Sequence, residues 1–291
     1  MPLGTNNMTV TTSDVFIPEL WSAEVLRATR ANLVLADKVK RYDFMMKKGG
    51  DTLHIPNLSN LVANTKTAGS QVTLQAPTET DIDLVIDQHK EASFLVEDIA
   101  AVQANVSLLS EYTNQAGYAI AKDLDSAVAG MFSGFSQTVG DGSTDITDAN
   151  VIRAIQYLDD ADCPDNDRIF VIKPSGKADI SYIDKYVLRT GPGWSPSDSP
   201  ITKGATRNGF FMDLYGVKVY VTTNLVTQAG TPTVVHSGMF HKDAIGLAVQ
   251  QSPRTQRQYK QEYLADLVTV DTIYGIIELR DVFGVDFKVK A

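Results

Sequence analysis

The chain has 291 residues, of which 43% are hydrophobic and 21% are charged, a globular composition that excludes disordered, collagen-like and coiled-coil rod proteins. Its 26 Lys and Arg residues against 35 Asp and Glu residues give a formal charge of −9, the wrong sign for a protein whose main task is to grip nucleic-acid phosphates. A single cysteine, Cys163, excludes an intrachain disulfide and a clustered-thiol zinc site. No apolar run approaches the roughly 20 residues of a membrane helix, and the start MPLGTNNMTV lacks the features of a signal peptide, so we expect neither.

The beginning of the chain predicts a polar arm followed by a helix. Residues 1–18 are rich in Thr and Asn, and Pro18 then opens ELWSAEVLRATRANLVLADKV, which carries an imperfect apolar stripe. Basic residues accumulate from Arg27 to Lys48. A solvated helix face is the favoured interpretation of this basic stretch, and contact with an acidic partner or DNA is the alternative.

The segment from Met46 to Thr80 predicts an extended hairpin. Glycines and prolines separate short alternating pieces, Leu53/Ile55 and Val72/Leu74. Its apolar residues are too few and too scattered to build a core of their own. We therefore expect this arm to lie on a neighbouring chain.

The middle of the chain predicts a strand and a long helix. Ile82, Leu84 and Ile86 alternate with aspartates, as in a strand with one buried face. From Asp98 to about Phe135 the apolar residues follow the spacing of one helix face. A helix of roughly 50 Å with no long helical partner indicates a spine laid across a sheet.

The remaining elements predict an α+β protein with its strands concentrated at the end. A helix over Val151, Ile152, Ile155 and Leu158 ends at Pro164, and RIFVIKP reads as a buried strand. Ser175 is the predicted cap of a further helix. A loop rich in Gly, Pro and Ser follows from Arg189 to Gly209, then a strand from Tyr215 to Val226. From Val234 to the end the sequence alternates in strand fashion, in the stretches Ala244 to Val249, Leu267 to Val270, Ile273 to Leu279 and Val285 to Val289.

No motif in the sequence supports catalysis. It has no P-loop, dinucleotide fingerprint, nucleophile elbow or paired-histidine zinc motif. Three sets of residues are candidate sites, but the spacing of each set favours a structural interpretation. They are His236, His241 and Asp243 as metal ligands against surface or sheet-edge histidines, Asp81 and Asp83 as an acid/base or cation pair against exposed strand alternation, and Asp141, Asp145 and Asp148 as a calcium loop against turns and helix caps. Cys163 reads as a packed small residue. We expect no enzyme activity and no cofactor.

The order of these elements resembles the major capsid proteins of tailed bacteriophages with the Hong Kong 97-type fold. Four segments of the sequence resemble segments of those proteins. They are FIPELWSAEVLRATRANLVLADKV, YGVKVYVTTNL, HKDAIGLAVQ and YGIIELRDVFGVDFKVK. The resemblance implies five regions. They are an N-terminal arm and helix (1–45), an E-loop (46–80), a peripheral domain with its spine helix (81–148), an axial domain (149–235) and returning strands (236–291).

The resemblance also implies which residues lie at contacts. The E-loop residues Leu53, Ile55, Lys66, Val72 and Leu74 would contact a neighbouring subunit. Arg189, Trp194, Lys203 and Arg207 would belong to a loop at the capsomer axis. Some family members join an E-loop lysine to an asparagine of the peripheral domain; Lys66 is the candidate donor here, but no asparagine follows Asn224, so we expect no such crosslink.

The implied function is an icosahedral head shell around phage DNA, assembled in the host bacterial cytoplasm and retained in the virion. The implied partners are further copies as pentamers and hexamers, a separate scaffolding protein, a portal, a decoration protein, and double-stranded DNA contacted weakly and without specificity. The alternatives are an encapsulin nanocompartment shell with the same fold, and, from another class, a soluble hydrolase that uses the aspartates above.

Overall fold

The computed structural model describes residues 34–46, 49–59, 61–98, 108–183 and 210–290. Within these ranges the strands form a seven-stranded sheet, a four-stranded sheet and a two-stranded hairpin, with helices packed on them. The expected α+β class is confirmed. The predicted N-terminal helix lies outside the described residues.

The strands are β1 Lys40–Arg41, β2 Thr52–Leu58, β3 Glu79–Val85, β4 Gln88–Glu97, β5 Gln137–Val139, β6 Arg168–Ile172, β7 Phe210–Leu214, β8 Val217–Val221, β9 Thr227–Gln228, β10 Val234–His241, β11 Ile245–Lys260, β12 Ala265–Glu278 and β13 Gly284–Lys290. The α-helices are α1 Asp43–Met46, α2 Leu108–Gly130, α3 Asp148–Asp160 and α4 Pro174–Tyr182. Short 3-10 turns cover Met131–Gly134, Lys242–Ala244 and Asp281–Phe283.

The seven-stranded sheet holds the main core. Its order is β5-β13-β10-β6-β8-β7, with β9 also paired to β10. All five residues of β6 are buried, as the sequence predicted, because β6 lies between two strands in a mixed sheet that helices cover. Val151, Ala154 and Leu158 of α3 join this core, whereas Ile152, predicted on the same face, is exposed.

Two local predictions in this region were wrong. Helix α4 begins at Pro174, whose fixed φ suits a first helical position, and Lys173 occupies the N-cap, so Ser175 is not the cap. The strand predicted from Tyr215 to Val226 begins at Val217, because Tyr215 and Gly216 both have positive φ and turn the chain between β7 and β8.

The four-stranded sheet carries α2 across one face. Its order is β1-β11-β12-β4, and Ala116 and Ile120 of α2 pack against Val270, Ala92 and Phe94. The predicted spine is thus observed as a helix from Leu108 to Gly130, continued by a 3-10 turn; residues 99–107 lie outside the described residues. None of the described helices is long and apolar enough to cross a membrane.

A buried carboxylate fastens the segment 34–46 to α2. The side chain of Asp125 is fully buried and accepts hydrogen bonds from the backbone N–H groups of Val34, Leu35 and Ala36, at 3.0, 2.9 and 3.0 Å. Three donors satisfy a charge that would otherwise be costly to bury. The linking segment, residues 34–46, is therefore held at its start by one side chain about ninety positions away in sequence.

We expect Asp125→Ala to lower the free energy of unfolding by about 3 kcal/mol or more, because it leaves three N–H groups without acceptors. Urea unfolding of the unassembled chain measures this loss, and hydrogen exchange at residues 34–36 locates it. Asn114→Ala, an exposed polar change on the same helix, is the control and should shift stability by less than about 0.5 kcal/mol. Equal behaviour of the two variants would contradict the assigned role of Asp125.

A carboxyl pair lies at the corner where β12 turns into β13. Glu278 ends β12, and its Oε1 is buried without a hydrogen-bond partner. Asp281 accepts a 2.7 Å hydrogen bond from the Ser136 N–H through Oδ1. Burial, with the nearby Asp281 carboxylate as a second cause, raises the pKa of Glu278 to about 7. Between pH 4.5 and about pH 7, the Glu278 carboxyl is therefore largely protonated in the folded state. In the unfolded chain the same carboxyl has its ordinary pKa of 4.5 and has lost the proton.

This corner predicts that stability falls as pH rises from about 4.5 to about 7, since the folded state binds more protons there than the unfolded state. Glu278→Gln removes the ionisation, so we expect it to raise the urea midpoint at pH 8 and to flatten the pH dependence in that window. Glu262→Gln, an exposed change in the turn before β12, should do neither. An unchanged midpoint for Glu278→Gln at pH 8 would contradict the assignment.

Candidate functional site

The hairpin β2–β3 has an apolar inner face that packs on the chain's own four-stranded sheet. Its inner pairs are Leu53 opposite Leu84 and Ile55 opposite Ile82. Leu53 and Ile55 pack with a small cluster built from Met46, Leu84 and Ala248. Leu53 and Ile55 are partly buried by this cluster of their own chain, and their expected contact with a neighbouring subunit stays a prediction. Strand alternation identifies a covered face but not which chain covers it.

Close backbone contact holds this stem in place. Gly275 of β12 lies against the end of β3, and a Cβ atom built at Gly275 would be 2.2 Å from the Val85 carbonyl oxygen and 3.0 Å from Ile86 Cα. No side chain fits in that space. The glycine thus allows the hairpin stem, strands β2 and β3, to approach the sheet.

The loop between the two strands has a different character. Residues 61–78 form no strand, so Val72 and Leu74 do not continue the ladder as predicted. The Gln75 side chain ties the two limbs together, since its Oε1 accepts from the Val62 N–H at 3.0 Å and its Nε2 donates to the Val62 carbonyl. Five large apolar side chains of the hairpin are nevertheless exposed, by 57 to 84%: Leu58, Leu61, Val62, Val72 and Leu74. Apolar side chains gathered on one projecting loop are typical of a surface that another molecule covers.

The loop contains two further residues of interest for contacts. Lys66, the predicted contact residue, is exposed next to the Thr67–Ser70 turn, in which the Ser70 N–H donates to the Thr67 carbonyl. The sequence-based prediction missed Leu61 and Val62. Their adjacency in an otherwise polar stretch was the available signal. The predicted capsomer-axis residues Arg189, Trp194, Lys203 and Arg207 lie outside the described residues.

The outer face of the hairpin stem carries a polar cluster that the sequence did not reveal. His54 is directly opposite Asp83 in the register, and its Nδ1 is 2.5 Å from Asp83 Oδ1 and 3.3 Å from Asp81 Oδ2. All three side chains are exposed. The predicted pairing of Asp81 with Asp83 on one strand face is correct, and the third member, His54, comes from the adjacent strand.

The other histidines and aspartates serve the fold. His236 donates through Nδ1 to the buried Asp286 at 3.0 Å, and burial raises the pKa of that carboxyl. His241 Nδ1 accepts from the Asp243 N–H at 3.1 Å. Asp141 accepts from the Ser143 hydroxyl and N–H, and these bonds lower its pKa to about 2. The preferred interpretation of Asp141 as a turn residue agrees with this geometry.

A histidine, an aspartate and an arginine also meet on three adjacent strands. Asp271 of β12 accepts from Arg254 Nε at 2.9 Å and Gln251 Nε2 at 2.7 Å, with His89 Nε2 at 3.4 Å. The Arg254 hydrogen bond is the main cause that lowers the pKa of Asp271 to about 2. The Asp271 carboxylate thus stays charged over the whole physiological pH range. Its hydrogen bonds connect strands β4, β12 and β11.

Comparison with known proteins identifies the fold. No protein-family model and no curated protein matches the sequence. Among solved structures, one from Mycobacterium phage Che8 is 27% identical, with 98% of each chain covered and a TM-score of 0.77. The capsid structure of Cyanophage P-SCSP1u is 17% identical, with 99% of this chain and 96% of that chain covered and a TM-score of 0.74. The mature capsid of bacteriophage PhiM1 is 15% identical at the same coverage, with a TM-score of 0.70.

These three structures, one from a phage and two of phage capsids, cover 98–99% of this chain. The chain has the fold of phage capsid proteins, and the resemblance inferred from its sequence is confirmed.

The close approach of the hairpin stem to Gly275 predicts that one added methyl group lowers the free energy of unfolding. Gly275→Ala places a Cβ against backbone that cannot rotate away, so we expect a loss of about 1–3 kcal/mol in the free energy of unfolding. Gly117→Ala, in α2 with no atom within 4 Å of the added Cβ, should instead be neutral or stabilising by up to about 1 kcal/mol. Denaturant unfolding of both variants measures the difference. A Gly275→Ala variant as stable as Gly117→Ala would show that the hairpin does not depend on this close approach.

Proposed function

We propose that this chain is the major capsid protein of a tailed bacteriophage, which self-assembles into the icosahedral shell around the packaged double-stranded DNA. The observation that carries the proposal is the full-length likeness to phage capsid structures, 98% or more of this chain in each of the three comparisons. The hairpin from 46 to 80 takes the part of an E-loop, and α2 takes the part of the spine helix in a peripheral domain spanning 81–148. Residues 149–235 then make up the axial domain, and residues 236–291 supply its returning strands.

The loop of the hairpin supports an assembly role. Its exposed apolar side chains project from a stem that is already packed on the same chain, so nothing on the described part of that chain buries them. Covering one such side chain stabilises a contact by about 1.5–3 kcal/mol before the costs of association. Contacts of this size are individually weak, and a closed shell repeats them around every subunit, so multivalency supplies stability.

The negative charge of the chain favours a shell that encloses DNA over a protein that binds DNA tightly. A formal charge of −9 per chain disfavours tight binding of phosphates, so the packaged DNA would contact the wall weakly and without sequence preference. Scaffolding, portal and decoration proteins belong to this proposal as its partners. An encapsulin-type shell shares the expected fold but encloses a protein cargo. The capsid matches give no support to the hydrolase alternative.

The experiment compares particles and loop variants. We expect electron microscopy of the protein expressed with its scaffolding partner to show shells or capsomers. Val72→Ser combined with Leu74→Ser should abolish assembly, as measured by sedimentation, while circular dichroism melting of the unassembled chain stays unchanged, because both side chains are exposed in that chain. Leu53→Ser is the matched control: it should lower the melting temperature, since Leu53 packs on the chain's own cluster.

A chain that remains monomeric at high concentration with the scaffolding partner present would contradict the proposed shell function. Normal assembly of the double loop variant would contradict the contact role of the loop. Shells that contain protein cargo instead of nucleic acid would favour the encapsulin alternative.

A further inference from the structure

The outer face of the hairpin stem brings together three metal-ligand side chains from two strands. Asp81 and Asp83 are two residues apart on β3 and so share a face, and the register places His54 of β2 opposite Asp83. One imidazole nitrogen and two carboxylate oxygens all lie within 4.8 Å of one another. No other group of three such residues occurs among the residues that the structure describes.

Among the residues that the structure describes, no lysine or arginine pairs with this cluster. The carboxylates of Asp81 and Asp83 both approach the same His54 nitrogen. Two carboxylate oxygens and one imidazole nitrogen thus converge on a point that suits a cation.

We propose that His54, Asp81 and Asp83 bind one divalent transition-metal ion of the zinc class, which joins the two strands of the hairpin stem. The mixed nitrogen and oxygen donor set favours Zn²⁺ over Mg²⁺ or Ca²⁺, which prefer oxygen ligands alone.

The geometry suits such an ion after small side-chain movements. Ligands of a tetrahedral Zn²⁺ at 2.0–2.2 Å lie about 3.3 Å from one another. His54 and Asp81 already have that separation, and His54 and Asp83 must move apart by less than an ångström. Three protein ligands leave the fourth position to water. Since all three side chains are exposed, these movements cost no core packing.

The site has a mechanical consequence for the hairpin. It lies in the middle of the stem, on the face opposite the apolar pairs. An ion bound across β2 and β3 adds a second link between the strands, beyond their backbone ladder. The inference does not depend on shell assembly, because the three ligands belong to one chain.

The test is zinc binding to the full-length protein. Isothermal titration with ZnCl₂ in a non-coordinating buffer should show saturable binding. His54→Ala and Asp83→Asn should each weaken binding at this site about tenfold or more. Hydrogen exchange should show that Zn²⁺ slows exchange in residues 52–58 and 79–85 of the wild-type chain only.

The matched control is His89→Ala. His89 is also exposed beside a carboxylate, but it faces Asp271 alone, so its loss should leave zinc affinity and hairpin exchange unchanged. Absence of saturable zinc binding would overturn the proposal, as would equal affinities of the wild-type and His54→Ala chains. Displacement of Zn²⁺ by equimolar Ca²⁺ or Mg²⁺ would overturn the assigned class of ion.

Discussion

The position of the hairpin depends on the buried carboxylate of Asp125. By binding three consecutive N–H groups, Asp125 fixes the start of the linking segment, residues 34–46, on helix α2. That segment then runs along β11, where β1 pairs in parallel, the Tyr42 N–H donates to the Leu247 carbonyl and Asp43 accepts from the Val249 N–H. It ends at Met46, a member of the cluster on which the stem packs. One side chain therefore sets the path of the segment that leads into the hairpin.

The hairpin is divided between two kinds of contact. Its stem is stabilised within the chain by apolar pairs, by the approach to Gly275 and by the β2–β3 ladder. Its loop leaves apolar side chains exposed. A loop that projects from a rigid stem has less freedom to lose when a neighbour covers it, which lowers the entropic cost of the contact. Packing of the stem on its own chain would thus favour the loop contact proposed above.

Sequence patterns predicted the elements whose burial follows a simple period. The run RIFVI gave a buried strand, and three-and-four spacing gave the helix on the sheet, because each pattern reports burial directly. The outer half of β11 was missed because residues 251–260 are polar and exposed on a projecting ribbon, where backbone pairing alone defines the strand. The sequence could not predict the hydrogen bonds of Asp125 or the contact of His54 with Asp83, for another reason. Both depend on the spatial register of residues far apart in sequence.

Electrostatics limit how closely copies of this chain can approach. Residues 49–59 and 79–87 include Asp51, Glu79, Asp81, Asp83 and Asp87 but no lysine or arginine, so the stem and the residues beside it are acidic. At physiological ionic strength charges are screened beyond about 8 Å, so the repulsion acts only on faces in contact. A stem laid against a neighbour brings its outer carboxylates within that range. Partial neutralisation of Asp81 and Asp83 by the cation proposed above would lower the repulsion at the hairpin, whose loop leaves apolar side chains exposed. The charge of the stem and the apolar surface of the loop therefore act on the same contact, because both belong to one hairpin.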